Sequence, residues 1–303
     1  MSDGSAKRVP ALVSVAGSDP SGGAGVQADL KTASALGVYA GAVLTALTAQ
    51  DTRGVYGVLP VAADFVSAQL DAVLDDLDVR AVKVGMLGSA AVVHAVADCL
   101  RRQPVPWLVV DPVMVATSGD RLVDDETALA VRDVLLPLAD VLTPNLPEAA
   151  TLLGLPDGTE VTDAVGAGRA LRSLGARAAL VKGGHATGAR SVDVLVDADG
   201  HRSYDAARLD TPHTHGTGCT LSTAVAAGLV RGLPLREAVG EAKEYLTRAL
   251  VAGATVRVGH GRGPVHHFHA WWPAVPAGPL DGPADSARPG PGAAPTTGAS
   301  DVR

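Results

Sequence analysis

A chain of 303 residues, 47% of them apolar, suffices for one large α/β domain or two small ones with full cores. Its net charge of −7, with acids spread along the chain, provides no basic stripe for a nucleic-acid backbone and no polybasic segment for anionic lipid, so the expected partner is a small molecule. No apolar run reaches membrane-spanning length, no signal-like segment opens the chain, and the two cysteines, Cys99 and Cys219, sit in unlike contexts; a cytoplasmic protein with reduced thiols is expected.

Apolar runs of strand length recur, and amphipathic stretches of helical period separate most of them. "ALVSVAG" (11 to 17) reads as the first buried strand, and "LTALTAQDT" (44 to 52) as a second, ending at Gln50. A helix over 64 to 77 leads to the strand "AVKVGM" (81 to 86), and a helix over 90 to 102, carrying Cys99, leads to "WLVVDPVM" (107 to 114). The strand "DVLTPN" (140 to 145), a helix over 161 to 175 and the strand "AALVKGG" (178 to 184) follow. Two alternating runs around Asp199-Gly200, within 192 to 209, predict an antiparallel hairpin at a sheet edge. Helices near 218 to 231 and 235 to 254 complete the domain, expected over 8 to 272; residues 1 to 7 are a flexible start. From about 276 onward Pro, Gly, Ala and Ser dominate, the composition of a disordered tail. The fold class is α/β: a doubly wound, mostly parallel sheet with helices on both faces, three layers in all.

In such a sheet, ligands gather at the carboxyl ends of the strands. That rule places "GSDPSGGAG" (17 to 25), Asp111, "TPNLPEA" (143 to 149), "KGGH" (182 to 185) and "HGTGC" (215 to 219) at one rim. In the last, Gly216 and Gly218 permit tight backbone geometry before an apolar helix, whose free first-turn amides make an anion site. There Cys219 feels a field that lowers a thiol's pKa; the alternative is a glycine-rich turn with cysteine as small core filler. The first glycine-rich loop lacks both the P-loop ending and dinucleotide spacing, so its glycines serve close approach, with Asp29 reaching a polar substrate or Ser21 capping a helix. Asp111 and Glu148 are oxygen donors of the kind Mg²⁺ prefers, with Asn145 orienting a water, although acids at a rim also serve as surface caps. Lys182 can reach a polyphosphate, or simply be a solvated strand end. Gln50 offers a donor and an acceptor side by side, suited to an aminopyrimidine edge, or is an ordinary loop glutamine. "HHFHAWW" (266 to 272) lacks carboxylate or cysteine company, and its aromatics are expected to pack on the domain.

Together, "AGSDPSGGAGVQADLKT", "ALTAQ", "VGML", "DPVM", "SGD", "TPNLPEA", "KGGH", "THGTGCTLS" and "GPVHHFHAWW", in this order, resemble the hydroxymethylpyrimidine/phosphomethylpyrimidine kinases of thiamine biosynthesis over roughly residues 8 to 272. The resemblance implies a ribokinase-like fold, a homodimer, ATP with Mg²⁺, and two successive phosphorylations of 4-amino-5-hydroxymethyl-2-methylpyrimidine. Relatives in that superfamily place an aspartate base where this chain has Cys219, so Cys219 takes the catalytic position and the Gly216, Thr217, Gly218 and Cys219 amides hold developing charge. By the same matching, Gln50, with Gly17 and Thr48, reads the pyrimidine and Met86 packs near its ring, with Asp29 a further candidate. Asn145 and Glu148 match the magnesium-organising element, Asp111 assists, and Lys182 lies near the nucleotide phosphates. Pyridoxal or pyridoxine phosphorylation is the related activity left open; a cysteine hydrolase using His213 or His215 and a non-catalytic pyrimidine binder are the other readings.

Overall fold

The computed structural model describes residues 8–115, 122–156, 158–184 and 188–272; the calls on the N-terminal seven residues, on "SGD", on His185 and on the tail lie outside the described residues. Strand β1 (Ala11–Ala16) lies parallel between β2 (Tyr39–Leu44) and β5 (Val79–Val84), and β6 (Trp107–Val110), β7 (Val141–Leu142) and β8 (Ala178–Val181) extend the parallel run. The predicted hairpin, β9 (Arg190–Asp197) with β10 (Gly200–Ala207), joins β8 antiparallel and closes that edge.

Period two decides which side each strand residue serves. Val13, Val82 and Leu108 pack in one core with helices α2 (Ala63–Asp76), α3 (Ala90–Arg102), α4 (Asp125–Ala130), α5 (Leu146–Leu152) and α6 (Ala164–Ser173). Their neighbours Leu12, Ala81 and Val109 pack in the other, with α1 (Gly25–Ala35), α7 (Thr217–Val230) and α8 (Leu235–Gly253). Helix α7, which carries no charged residue, is buried on all sides from Thr220 to Leu229, and this holds its N-terminus at the rim of the sheet. Cys99 is a buried core residue of α3. Among the described residues no helix is long and apolar enough to cross a membrane.

Two expectations need correction. The strand read as ending at Gln50 is two strands: β2 stops at Leu44, and β3 (Ala46–Gln50) leaves the main sheet to pair antiparallel with β4 (Val55–Pro60) in a separate two-stranded sheet. Buried Thr45 forces the break, because its amide donates to Ala16 O (3.1 Å), its hydroxyl to Met86 O (2.7 Å), and its carbonyl accepts from Val61 N (3.0 Å). Nor does Ser21 cap a helix. Asp19 instead accepts from the amides of Ser21, Gly23 and Ala24 at 2.8 to 3.1 Å, an Asx-type arrangement that shapes the loop before α1.

Candidate active site

The rim motifs converge at the start of α7. Gly216 is its N-cap in the left-handed region (φ +78°), so Thr217, Gly218 and Cys219 form the first turn. Thr217 N donates to Thr214 O at 3.3 Å, and Thr220 N already reaches Gly216 O, which leaves the Gly218 and Cys219 amides as groups the helix itself cannot satisfy. A side chain on Gly218 would come within 3.4 Å of Lys182 Nζ and 3.5 Å of Asp111 Oδ2, so lysine, carboxylate and free amides meet at one point.

Lys182 arrives there because β8 pairs with β7 and its own amide donates to Pro144 O at 2.8 Å. Its ammonium lies 2.7 Å from Asp111 Oδ1 and 3.8 Å from Glu148 Oε2. Asp111 also accepts from Thr143 (3.2 Å) and Ser222 (3.2 Å). Burial opposes its charge, but Lys182 and then Lys83 hold its carboxyl below the usual range; the Lys182 ammonium is correspondingly raised against its own burial, chiefly by Asp111. Asn145 and Glu148 form a capping box on α5, with Asn145 N donating to Glu148 Oε2 (2.7 Å) and Glu148 N to Asn145 Oδ1 (2.8 Å). Burial pushes Glu148 up to about 7, with Lys182 pulling it down and Asp111 raising it further.

The expected effect of the helix on the thiol is overturned. Burial pushes Cys219 up to about 11, against the pull of Lys83 and of a hydrogen bond from the Gly25 amide at the start of α1. Cys219 is therefore a thiol, not a thiolate, between two helix N-termini.

Gly25 also ties this point to the next group. Its left-handed backbone (φ +56°) packs so closely that a Cβ would stand 2.4 Å from Gly17 O. Gly17 in turn faces Met86, whose Cε would lie 2.4 Å from a Cβ placed on the glycine. Thr48 fastens β3 to the same loop through Ser18, and its hydroxyl is 3.3 Å from Gln50 Oε1. Gln50, half-buried, lines a cavity of about 350 Å³ together with Thr52, Arg53, Pro212, His215 and Arg262.

Not every candidate stands at the rim. Asp29 is fully buried, and its oxygens bind Lys83, Ser14 and Thr223, so it is corrected from a substrate contact to an internal ion-pair partner. His215 commits Nε2 to Asp19 (2.7 Å) and His213 commits Nδ1 to the Gly263 amide (3.1 Å), away from the thiol a hydrolase would activate. In the "HHFHAWW" segment it is His267 that buries, 3.1 Å from Thr220 Oγ1, whereas Trp271 and Trp272 are exposed. Trp271 donates to Ala35 O, and Trp272 stacks on Phe268 with His266 edge-on to its ring, yet both tryptophans stay largely exposed, which corrects the expected aromatic packing. Sequence reasoning missed Asp19, Lys83 and Thr223; an aspartate before Pro-Ser-Gly-Gly was the one local signal, for the first of them.

A doubly wound sheet with helix-start amides, a lysine and carboxylates gathered at its carboxyl rim is the architecture of a phosphotransferase of ribokinase-like fold. The family described as phosphomethylpyrimidine kinase matches residues 19–266, and the chain belongs to that family. It is 53% identical over 260 residues to the hydroxymethylpyrimidine/phosphomethylpyrimidine kinase of Rhizobium meliloti (strain 1021), covering 86% of this chain and 97% of the relative. It is similar to the phosphomethylpyrimidine kinase structure from Clostridium difficile 630 (TM-score 0.69, 38% identity, 80% of this chain and 99% of that one). It is also similar to an ADP complex of Bacillus subtilis pyridoxal kinase (TM-score 0.80, 37% identity, 87% of this chain and 99% of that one). The chain is a kinase that uses ATP, and its reaction is the phosphorylation of hydroxymethylpyrimidine in thiamine biosynthesis.

Proposed function

We propose that both phosphorylations, of the hydroxymethyl oxygen and then of the phosphate so formed, run at the start of α7, within a kinase domain spanning residues 8 to 272. The observation that carries this reading is the meeting of Lys182, Asp111 and the Gly218 amide, with Cys219 on the same turn. Gln50, with Thr48 and backbone near Gly17, binds the aminopyrimidine edge, and Met86 packs on the ring. The substrate hydroxyl then points toward Cys219 and the transferring phosphoryl toward the Gly218 and Cys219 amides, where a helix start stabilises the charge that spreads over its oxygens. Lys182 offers its ammonium to the nucleotide phosphates. The loose transition state of phosphoryl transfer asks for little proton removal beforehand, which suits a protonated thiol. Cys219 orients the attacking oxygen; late in the step its sulfur takes the hydroxyl proton as its own S–H proton passes to an oxygen of the transferred phosphoryl group, so the thiol ends as it began and no covalent thiol intermediate forms.

The donor set of Asp111 and Glu148, two buried carboxylates at the phosphate end of the site, fits a Mg²⁺ ion held largely through water. Asn145 keeps Glu148 in place through the capping box. When bound, that ion neutralises and orients the nucleotide's phosphates.

The test is an ATP assay with magnesium in which hydroxymethylpyrimidine and pyridoxal are compared and products are resolved by mass. A pyrimidine diphosphate as main product is expected. Pyridoxal phosphate as main product would instead favour the second reading, which the similarity to the Bacillus subtilis pyridoxal kinase supports. In the same assay Gln50→Ala is expected to raise the pyrimidine KM about ten-fold or more while moving the ATP KM less, since a lost hydrogen-bond pair costs of order 1 to 2 kcal/mol. Equal changes in both would remove Gln50 from the pyrimidine pocket.

The assembly we propose is a cytoplasmic homodimer. Leu47 and Leu59, paired across the β3–β4 sheet, stand exposed on one of its faces and Val58 on the other, apolar surface that a second copy would cover. Sedimentation is expected to give a dimer, and Leu59→Asp a shift toward monomer; a monomeric parent chain would rule the assembly out.

A further inference from the structure

We propose that the buried Asp29–Lys83 ion pair is a positioning element of the phosphoryl-transfer site, acting through Thr223 on the helix that carries Cys219. The inference rests on the reading of the α7 start as that site. Lys83 is the anomaly that leads to it: it is the penultimate residue of the parallel strand β5, between Val82 and Val84, is 0% exposed, and is the largest fully buried side chain among the described residues. Its ammonium lies 2.9 Å from both carboxylate oxygens of Asp29, itself 0% exposed, so neither group can touch a substrate.

Taking two charges out of water is expensive, and an apolar pair of the same volume generally stabilises a core as well or better. What the charged pair adds is hydrogen bonds in fixed directions. Ser14 donates to Asp29 Oδ2 (2.5 Å) from β1, and Thr223 donates to Oδ1 (2.7 Å) from α7. Thr223 lies one helical turn after Cys219, on the same face. Its neighbour Ser222 donates to Asp111, the partner of Lys182. Two consecutive side chains of α7 are thus held by two aspartate–lysine pairs, one bordering the reaction site and one sealed beneath the helix. Together they fix both rotation and advance of the first turn, and with it the Gly218 and Cys219 amides. Lys83 also acts on the thiol directly, as the strongest charge opposing the effect of burial there.

The experiment compares kcat, both KM values and thermal midpoints for four variants of the full chain. Thr223→Val removes the hydroxyl with little change of shape and is expected to lower kcat about ten-fold or more with both KM values within about three-fold, the pattern of a misplaced reacting group. Thr223→Ser is expected to return kcat to within about three-fold of the parent, because the hydrogen bond is restored. The double variant Asp29→Leu with Lys83→Met replaces the pair by apolar groups that keep the fold, and is expected to show the same loss in kcat. Parent-like kcat in both Thr223→Val and the double variant, or a rise in KM alone, would overturn the positioning role. Cys219→Ala separates the two levels: if it retains full turnover, the site reading itself fails. If it is impaired while Thr223→Val and the double variant are not, only the present inference fails.

Discussion

Cys219→Ala is expected to lower turnover by about two orders of magnitude or more while leaving pyrimidine and ATP affinity within a few-fold, the usual scale for losing a group that handles a proton. The thiol is small, and the Gly218 amide, Lys182 and Asp111 do not depend on it for their places. What disappears is the side chain beside the attacking oxygen. Because burial holds the thiol near 11, its contribution does not come from a thiolate present beforehand, and activity should not rise steeply between about pH 7 and 9, as it would if a thiol of ordinary pKa were the base. Single-turnover kinetics with saturating ATP would measure the step directly. Unchanged turnover would remove Cys219 from the chemistry, and a steep rise over that range would restore the thiolate.

Gly216→Ala is expected to be nearly as damaging, by a different route. The left-handed N-cap alone costs an L-residue roughly 1 to 2 kcal/mol. Here the new Cβ would also stand 1.8 Å from Gly23 O, a backbone atom of the loop shaped by Asp19, so one of two packed backbones must move. A shift of about 1 Å at the first turn of α7 displaces the amides that hold the phosphoryl group, and turnover should fall about a hundred-fold with a lowered thermal midpoint. Gly232→Ala is the control: it carries a similar backbone (φ +87°), but nothing lies within 4 Å of its added Cβ. It should lose stability of about 1 kcal/mol and keep its turnover. Parent-like turnover in Gly216→Ala would mean that the loop yields without disturbing the site.

How far the sequence carried each feature follows the range of the forces involved. Helix α3 was read to the residue because its apolar positions repeat at helical spacing and Ser89 caps it locally. The β9–β10 hairpin was legible from Asp199-Gly200 and alternation on either side. The β3–β4 hairpin was not, since Val55, Tyr56, Val58 and Leu59 form no clean alternation and several stand exposed on their own small sheet. Where Thr45 ends β2, the deciding partners are Ala16, Val61 and Met86 on other elements, beyond any local pattern.

The same division runs through the site. Resemblance of motifs, together with the rule that ligands bind at the strands' carboxyl ends, is enough to place Lys182, Asp111, Glu148 and Cys219 at one rim. Only the tertiary structure decided which charges pair: Asp29 meets Lys83 across 54 positions and Asp19 meets His215 across 196. It also reversed the sense of the thiol's shift, because the helix field is local and readable from Gly-Thr-Gly-Cys, whereas desolvation depends on every element packed around Cys219. By itself the sequence determined the layers, the rim and the chemical groups, which follow from periodicity and residue type. Burial and long-range pairing settled which of those groups face a substrate and which hold the frame, since both are sums over neighbours distant in the chain.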